Sequence, residues 1–254
     1  MNSLAPVEPA SDVVVRSLLA ERTLFRPVKL GNTFEQTVER LAQSIKLGVV
    51  PSGERLPPER ELARQLNVSR VTLREAIKAL QDAGYVESRR GRNGGTFVLY
   101  DARQRRGGNV RRLLKSMGAE LNDMLDYRHV IEPGAAELAA RRGVRDADRV
   151  ALLQRLNAVR IAPAAGHRVA DSRLHLAIGE LSGSPSVAAA VADVQVNLDR
   201  LLRAIPVIKR NIEHSCDQHA VIVEAILAGD ERGARTAMTE HVEGTSALLR
   251  GFLA

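Results

Sequence analysis

The chain has 254 residues and a net charge of +7, and 44% of its residues are hydrophobic while only 3% are aromatic. This length allows two domains of ordinary size, with cores built from Leu, Val, Ile and Ala. No apolar run approaches the roughly 18 residues of a membrane span, and we expect neither a signal peptide nor a membrane partner. The single cysteine, Cys216, excludes an intramolecular disulfide and indicates a reducing, cytoplasmic environment.

The positive charge is concentrated in the first half of the chain. Residues 1–115 carry 21 basic and 12 acidic side chains, whereas residues 116–254 carry 16 basic and 18 acidic ones. Such a charge asymmetry indicates that the first half binds a polyanion such as nucleic acid.

The first two segments differ in periodicity. Residues 1–32 contain several prolines and no sustained repeat, which predicts a mobile N-terminal arm. In residues 33–47, Val38, Leu41 and Ile45 recur at helical spacing, so we expect an amphipathic helix.

Two short helices separated by a tight turn follow. The sequence Pro57-Pro58-Glu59 is a helix start signal, and Asn67 interrupts the helical pattern. Ser69 is a good N-cap for a second helix, whose apolar face consists of Leu73, Ala76, Ile77 and Leu80. Its other face carries Arg70, Thr72 and Arg74 near the N-terminal end, which is the chemistry needed to read base edges and phosphates in a major groove.

A β-hairpin with a cationic loop completes this half. Alternating residues predict strands over 85–88 and 96–99, and the intervening loop from Arg89 to Gly95 is rich in arginine and glycine. Residues 54–56 are a candidate for a third short strand. Together, residues 33–100 are predicted to form a winged helix-turn-helix domain that binds double-stranded DNA.

The rest of the chain is predicted to be helical. Residues 101–109 are polar and end in Gly-Gly, as is typical of a domain linker, and residues 110–254 form the second domain. Its predicted helices lie near 110–117, 119–142, 146–161, 167–182, 185–205, 209–228 and 230–252. The predicted fold class is therefore mainly α: an N-terminal winged helix-turn-helix with a small β wing and a C-terminal, all-α, antiparallel bundle of six or seven helices.

The N-terminal half closely resembles the DNA-binding domain of the GntR superfamily of bacterial transcriptional regulators. The resemblance rests on LPPERELA, VSRVTLREA and GYVESRRGRNGGTFV, which occur in order and at the right separations. It implies that two regions contact DNA: the helix-turn-helix, and the wing, which enters the minor groove. The implied residues are Arg60, Ser69, Arg70, Thr72 and Arg74, with Arg90 and Gly91 in the wing.

The second half contains a candidate metal site. Asp171 and His175 are four residues apart and share one helix face, while His219 and His241 lie on later helices. Such ligands suit a divalent ion such as Zn²⁺ or Ni²⁺, although histidines with such spacing are more often ordinary polar residues.

This half also resembles the FCD ligand-binding domain of the FadR-type subfamily of GntR regulators. The matching stretches are YRHVIEPGAAELAA, DSRLHLAIGELSGSP, QHAVIVEAILAGD and AMTEHV. The resemblance implies that the ligands of a divalent metal are Asp171, His175, His219 and His241. It also implies that a small carboxylate effector binds at the metal. Arg128 begins an Arg-x-x-x-Glu pattern, and it either pairs with Glu132 or binds the effector's carboxylate.

The resulting hypothesis is a DNA-binding regulator and not an enzyme. We expect a cytoplasmic, nucleoid-associated homodimer that acts as a repressor on a palindromic operator and responds to an organic acid. One alternative is the same regulator class sensing a long-chain acyl ligand without metal. A less favoured alternative is a metal-dependent hydrolase, for which Glu180 and Glu240 are the nearest candidate bases.

Overall fold

The structure is a computed structural model that describes residues 31–46, 48–91, 94–100 and 108–253. For residues 108–119 and residue 165, only the backbone is described. Residues 1–30 of the predicted arm and residues 101–107 of the predicted linker lie outside the described residues. The first half contains α1 (Thr33–Lys46), α2 (Glu59–Leu66), α3 (Arg70–Asp82), β1 (Val86–Arg89) and β2 (Gly95–Val98). The second half contains α4 (Gly108–Arg142), α5 (Asp146–Ile161), α6 (Ala164–Leu181), α7 (Pro185–Leu202), α8 (Lys209–Ala228) and α9 (Glu231–Leu253).

The helix-turn-helix has the boundaries that its capping residues dictate. Asn67 ends α2 in the left-handed conformation, with φ +54°, which asparagine tolerates better than most residues. The Ser69 hydroxyl then accepts a 3.0 Å hydrogen bond from the Thr72 amide and so caps α3. Leu73, Ala76 and Leu80 of α3 are fully or almost fully buried, as predicted from their spacing.

The wing is a two-stranded antiparallel sheet in which Val86 pairs with Val98 and Arg89 pairs with Gly95. The candidate third strand at 54–56 is reduced to a single bridge between Arg55 and Phe97. The segment still contributes two backbone hydrogen bonds to β2, from Leu56 N to Thr96 O and from Val98 N to Glu54 O.

The helices of the second half agree with the prediction except at its start. The two helices predicted at 110–117 and 119–142 form one continuous helix, α4, which passes through Gly118 and Pro133. A glycine inside a helix costs only about 1 kcal/mol, which the extensive packing of α4 on α9 offsets. The predicted breaks at Gly143, Pro163, Gly183 and Gly229 all separate helices. The fold class, mainly helical with a winged helix-turn-helix and a helical C-terminal domain, is confirmed.

Two apolar clusters hold the described part of the chain together. One lies inside the bundle and includes Leu174, Ile222 and Val242. The other is shared by the two halves of the chain, because Phe34 and Leu41 of α1 belong to the same cluster as residues of α4, α7 and α9. The close approach of α1 to α9 requires a small residue at position 251, since a Cβ on Gly251 would lie 2.9 Å from the Glu39 Cα.

Asn32 corrects the predicted boundary of the N-terminal arm. Its exposed fraction is only 3%, and its carbonyl accepts the hydrogen bond from Gln36 N that begins α1. Asn32 is therefore part of the folded structure. None of the helices within the described ranges is both long enough and apolar enough to cross a bilayer.

Candidate functional site

Three buried histidines from three helices meet in the centre of the bundle. His175 lies on α6, His219 on α8 and His241 on α9, and each is at most 3% exposed. One ring nitrogen of each lies within 4.8 Å of those of the other two. The Nε2 atoms of His175 and His219 are only 3.2 Å apart.

Asp171 lies at the edge of this histidine cluster. Its Oδ1 is 3.5 Å from His219 Nε2, and its Oδ2 is 4.0 Å from His175 Nε2. The predicted i, i+4 spacing on α6 thus places the carboxylate and the imidazole of His175 on the same side of the helix. The structure brings all four predicted ligand side chains to one place.

Burial keeps two of the three imidazoles neutral. It lowers the pKa of His219 to about 4 and holds that of His241 well below its ordinary value. His175 differs: burial opposes its charged form, but the carboxylate of Glu132 outweighs this and raises the pKa. The Glu132 Oε1 lies 3.1 Å from His175 Nδ1.

Glu132 is the centre of a buried polar network behind the histidines. It accepts a 2.7 Å hydrogen bond from Arg128 Nε and another from Gln195 Nε2. Burial would raise the pKa of Glu132, but Arg128 and His175 together hold it well below the usual range. The pairing of Arg128 with Glu132 is one of the two predicted alternatives. Gln195 was missed, because a lone glutamine on a helix carries no sequence signal of its partner.

A cavity opens next to the histidine cluster, and both polar and apolar side chains line it. Arg128, Asp171 and His241 are among the polar ones, together with Asn211 and Thr245. Arg128 Nη1 is buried and has no hydrogen-bond partner among the described residues. Because Arg128 Nε is already used by Glu132, the guanidinium has donors to spare at this cavity.

The residues of the cluster fit a divalent cation. A neutral imidazole has a free lone pair on one ring nitrogen, and the Nε2 atoms of His175 and His219 lie 3.2 Å apart beside the carboxylate of Asp171. Imidazole nitrogen and carboxylate oxygen are ligands that Zn²⁺ and Ni²⁺ accept.

His241 has one side-chain partner that the sequence did not reveal, and that partner contacts a further residue. His241 Nδ1 lies 3.3 Å from Gln218 Oε1, and Gln218 Nε2 donates a 3.0 Å hydrogen bond to Asn32 Oδ1. The histidine cluster is therefore joined by side-chain hydrogen bonds to the residue that precedes α1.

The predicted DNA-contacting residues are accessible at the surface of the winged domain. Most are exposed, Thr72 is half-buried, and Gly91 adopts φ +103°, which glycine allows. The exposed ones are Arg60, Ser69, Arg70, Arg74, Arg90 and Gly91. The Ser69 hydroxyl is already used in capping α3, and it also lies 2.8 Å from the Thr72 hydroxyl.

Two features of this surface went beyond the sequence reasoning. Arg74 Nε is hydrogen-bonded at 2.7 Å to Glu59 Oε2 at the start of α2, so a protein carboxylate already occupies one edge of this guanidinium. Val71 is 65% exposed beside Arg70 at the start of α3. An exposed apolar side chain at this end of a helix suits contact with a thymine methyl group.

Comparison with known proteins places both halves of the chain. Residues 33–98 match the profile of bacterial regulatory proteins of the gntR family, and residues 123–244 match the FCD domain. An HTH-type transcriptional regulator of Mycobacterium gastri is 32% identical over 208 residues, covering 81% of this chain and 76% of that protein. The chain belongs to the GntR family of bacterial regulatory proteins.

Two further relatives of this GntR-family chain come from Escherichia coli. A protein named as an L-lactate dehydrogenase operon regulatory protein is 31% identical, with 86% of each chain covered. The Exu regulon transcriptional regulator is 28% identical, with 85% of this chain and 84% of that protein covered. These relatives and both domains are those of transcriptional regulators, so the protein is a DNA-binding regulator and not an enzyme. The narrower assignment to the FadR-type subfamily stays a prediction.

Proposed function

We propose that this GntR-family regulator responds to a small organic acid that binds beside a divalent metal ion in the FCD domain. The metal ligands are Asp171, His175, His219 and His241. The observation that carries the proposal is that Arg128 lines the cavity with Asp171 and His241 and that its buried Nη1 has no hydrogen-bond partner among the described residues.

A metal ion at this position supplies a positive charge to which a carboxylate can bind. The chain's own contribution is the arrangement of donors around it. Glu132 holds Arg128 through Nε, which orients the guanidinium and leaves Nη1 to donate to the acid. The apolar residues Leu198, Ile205 and Ile208 also line the cavity and favour a small effector that has an apolar part as well as its carboxylate.

The named role of one relative agrees with this class of effector. That relative is named for an L-lactate dehydrogenase operon, and lactate is a small hydroxy acid with one carboxylate. Its carboxylate can accept a hydrogen bond from Arg128 Nη1, which has no partner among the described residues.

The same observations favour this proposal over the acyl-ligand alternative. A long acyl chain is apolar and cannot form hydrogen bonds with the three buried imidazoles and the carboxylate in the centre of the bundle. The hydrolase alternative is contradicted by the relatives, which are regulators.

For the DNA-binding half, we propose a homodimer whose two α3 helices enter successive major grooves of a palindromic operator. The exposed Arg70 and Arg74 then face base edges, and the wing at Arg90 and Gly91 faces the minor groove. In this proposal the protein is a cytoplasmic, nucleoid-associated repressor, and the acid releases it from the operator.

Thermal unfolding tests the metal-centred proposal. The wild-type protein, chelated and then reloaded with Zn²⁺, is heated with a panel of small mono- and dicarboxylates. A ligand of the native state raises the midpoint, by the equivalent of about 2.7 kcal/mol at a hundred times its Kd. We expect one class of acid to raise the midpoint only after reloading.

The variants for this test are His219→Ala, which removes a proposed ligand, and His129→Ala, which removes an exposed histidine outside the cluster. The zinc-dependent rise should disappear in the first variant and persist in the second. If chelation changes nothing and His219→Ala responds like the wild type, the metal site is wrong.

A further inference from the structure

We infer that Gln218 and Asn32 are positioning residues for the metal ligand His241, and that they link metal binding to the docking of α1. This inference rests on the proposed metal site. It assigns a role to two residues that neither bind the ion nor touch DNA. It also connects the FCD domain, through a series of hydrogen bonds, to the first helix of the winged domain.

Asn32, Gln218 and His241 are joined by successive hydrogen bonds, and the contact of Asn32 with a backbone carbonyl determines which atom donates in each of them. Asn32 Nδ2 donates a 2.6 Å hydrogen bond to the backbone carbonyl of Glu240, which has no proton to give. The Asn32 amide is therefore oriented with Oδ1 towards Gln218, where it accepts from Gln218 Nε2 at 3.0 Å. Gln218 in turn must present its Oε1 to His241, and it lies 3.3 Å from Nδ1.

This orientation determines the tautomer of His241. Because Gln218 Oε1 can only accept, His241 Nδ1 must carry the proton and donate it. Nε2 then keeps its lone pair and is the nitrogen available to a metal ion. A hydrogen bond to the other ring nitrogen is the usual device by which proteins orient a metal-binding histidine.

Asn32, the residue at the other end of this series of hydrogen bonds, immediately precedes α1. Asn32 is buried between the two halves of the protein, and its carbonyl accepts the first hydrogen bond of α1 from Gln36 N. Space for its side chain exists only because position 244 is glycine, where a Cβ would lie 2.6 Å from Asn32 Oδ1. Docking of α1 thus selects the metal-binding tautomer, and by reciprocity metal binding strengthens the docking of α1.

The primary test measures Zn²⁺ affinity by competition with a chromophoric chelator. In Asn32→Ala, the Gln218 amide is free to turn its NH₂ group towards His241 and stabilise the wrong tautomer. We expect a loss of zinc affinity of about 10–100-fold, which is typical of the loss of such a partner. Gln218→Met, whose thioether sulfur is only a weak acceptor for the Nδ1 proton, should lose a similar amount.

A second substitution separates this role from ordinary packing. In Gln218→Glu, both carboxylate oxygens accept, so the side chain needs no orientation by Asn32. In that background, Asn32→Ala should no longer reduce zinc affinity. A purely structural role of Asn32 would give the same loss in both backgrounds, so the cycle of single and double variants distinguishes the two cases.

Two further variants on the same interface complete the test, and the second of them is the control. Gly244→Ala displaces the Asn32 amide without removing a polar group and should lower zinc affinity. Glu35→Gln keeps an oxygen that can accept from His214, so α1 stays docked, and it does not touch the Asn32–Gln218–His241 hydrogen bonds; its zinc affinity should stay within about twofold of wild type. Hydrogen exchange of residues 33–46 should slow on adding zinc to the wild type and not in Asn32→Ala.

Three outcomes overturn the inference. Wild-type zinc affinity in Asn32→Ala contradicts the tautomer argument while leaving the proposed metal site intact. An equal loss in the Gln218→Glu background makes Asn32 a packing residue. No zinc binding by the wild type overturns the metal site itself, and this inference with it.

Discussion

His214 Nδ1 lies 2.9 Å from Glu35 Oε1, and this contact joins α8, the helix that carries His219, to α1 of the winged domain. Glu35 is 1% exposed, and its Oε2 has no hydrogen-bond partner among the described residues. The hydrogen bond to Glu35 raises the pKa of His214, against opposing effects of burial and of Arg210. His214 therefore lies at the interface between the two halves of the chain.

This pair should make the stability of the protein depend on pH. Because the pKa of folded His214 is raised, its contribution is fully present below about pH 6.5, the ordinary value, and is lost as the pH rises through the raised value. We expect the free energy of unfolding of the chelated wild type, minus that of Glu35→Gln, to fall between pH 6 and pH 9. Urea titrations at each pH measure this difference, and a constant difference would show that the pair carries no titrating charge.

Arg128 should separate effector binding from metal binding. Lysine at this position keeps a positive charge near Glu132 but lacks the fork that holds two partners at once. We expect Arg128→Lys to bind zinc and to lose the acid-dependent rise in unfolding midpoint. Arg128→Ala leaves a buried charge on Glu132 and should lose about 3–5 kcal/mol of stability. An unchanged acid response in Arg128→Lys would move the effector elsewhere.

Arg70 at the start of α3 should carry operator specificity. If it contacts a base edge, Arg70→Ala costs about 1–3 kcal/mol of specific binding and relaxes the preference at one operator position. Fluorescence anisotropy with operator and scrambled duplexes at several salt concentrations measures both effects. The control is Arg235→Ala, an exposed arginine on α9 that pairs with Glu137. Equal effects of the two substitutions would mean that general charge, and not base contact, explains the role of Arg70.

Ser69 should matter for the stability of the recognition helix. Its hydroxyl satisfies the Thr72 amide, so Ser69→Ala leaves that donor without a partner at the first turn. We expect a loss of about 1 kcal/mol of unfolding free energy. Ser69→Asn, which keeps a capping oxygen, should lose much less, and an equal loss in both variants would contradict the capping role.

The elements that sequence predicted well are those with local causes. Pro58, Asn67 and Ser69 determine where α2 and α3 begin and end through their own backbone preferences and side-chain caps. The i, i+4 spacing of Asp171 and His175 likewise needs only the geometry of one helix. The convergence of His219 and His241 on that pair depended on resemblance to a family, because spacing says nothing about how helices pack.

The features that the sequence did not predict depend on contacts between elements that are distant along the chain. The continuity of α4 through Gly118 follows from its packing on α9, which outweighs the weak helix propensity of one glycine. Asn32, Gln195 and Gln218 look like ordinary polar residues in the sequence. Their roles arise from partners that lie between 23 and 208 positions away along the chain.

The Tyr85 hydroxyl donates a hydrogen bond to the backbone carbonyl of Phe252. Tyr85 precedes the wing, and Phe252 lies in the last turn of α9, where it shares an apolar cluster with α1. The last turn of α9 therefore covers part of the apolar face of the DNA-binding half. During synthesis, a ribosome that has released only the first hundred residues has not yet released the helix that covers their apolar face.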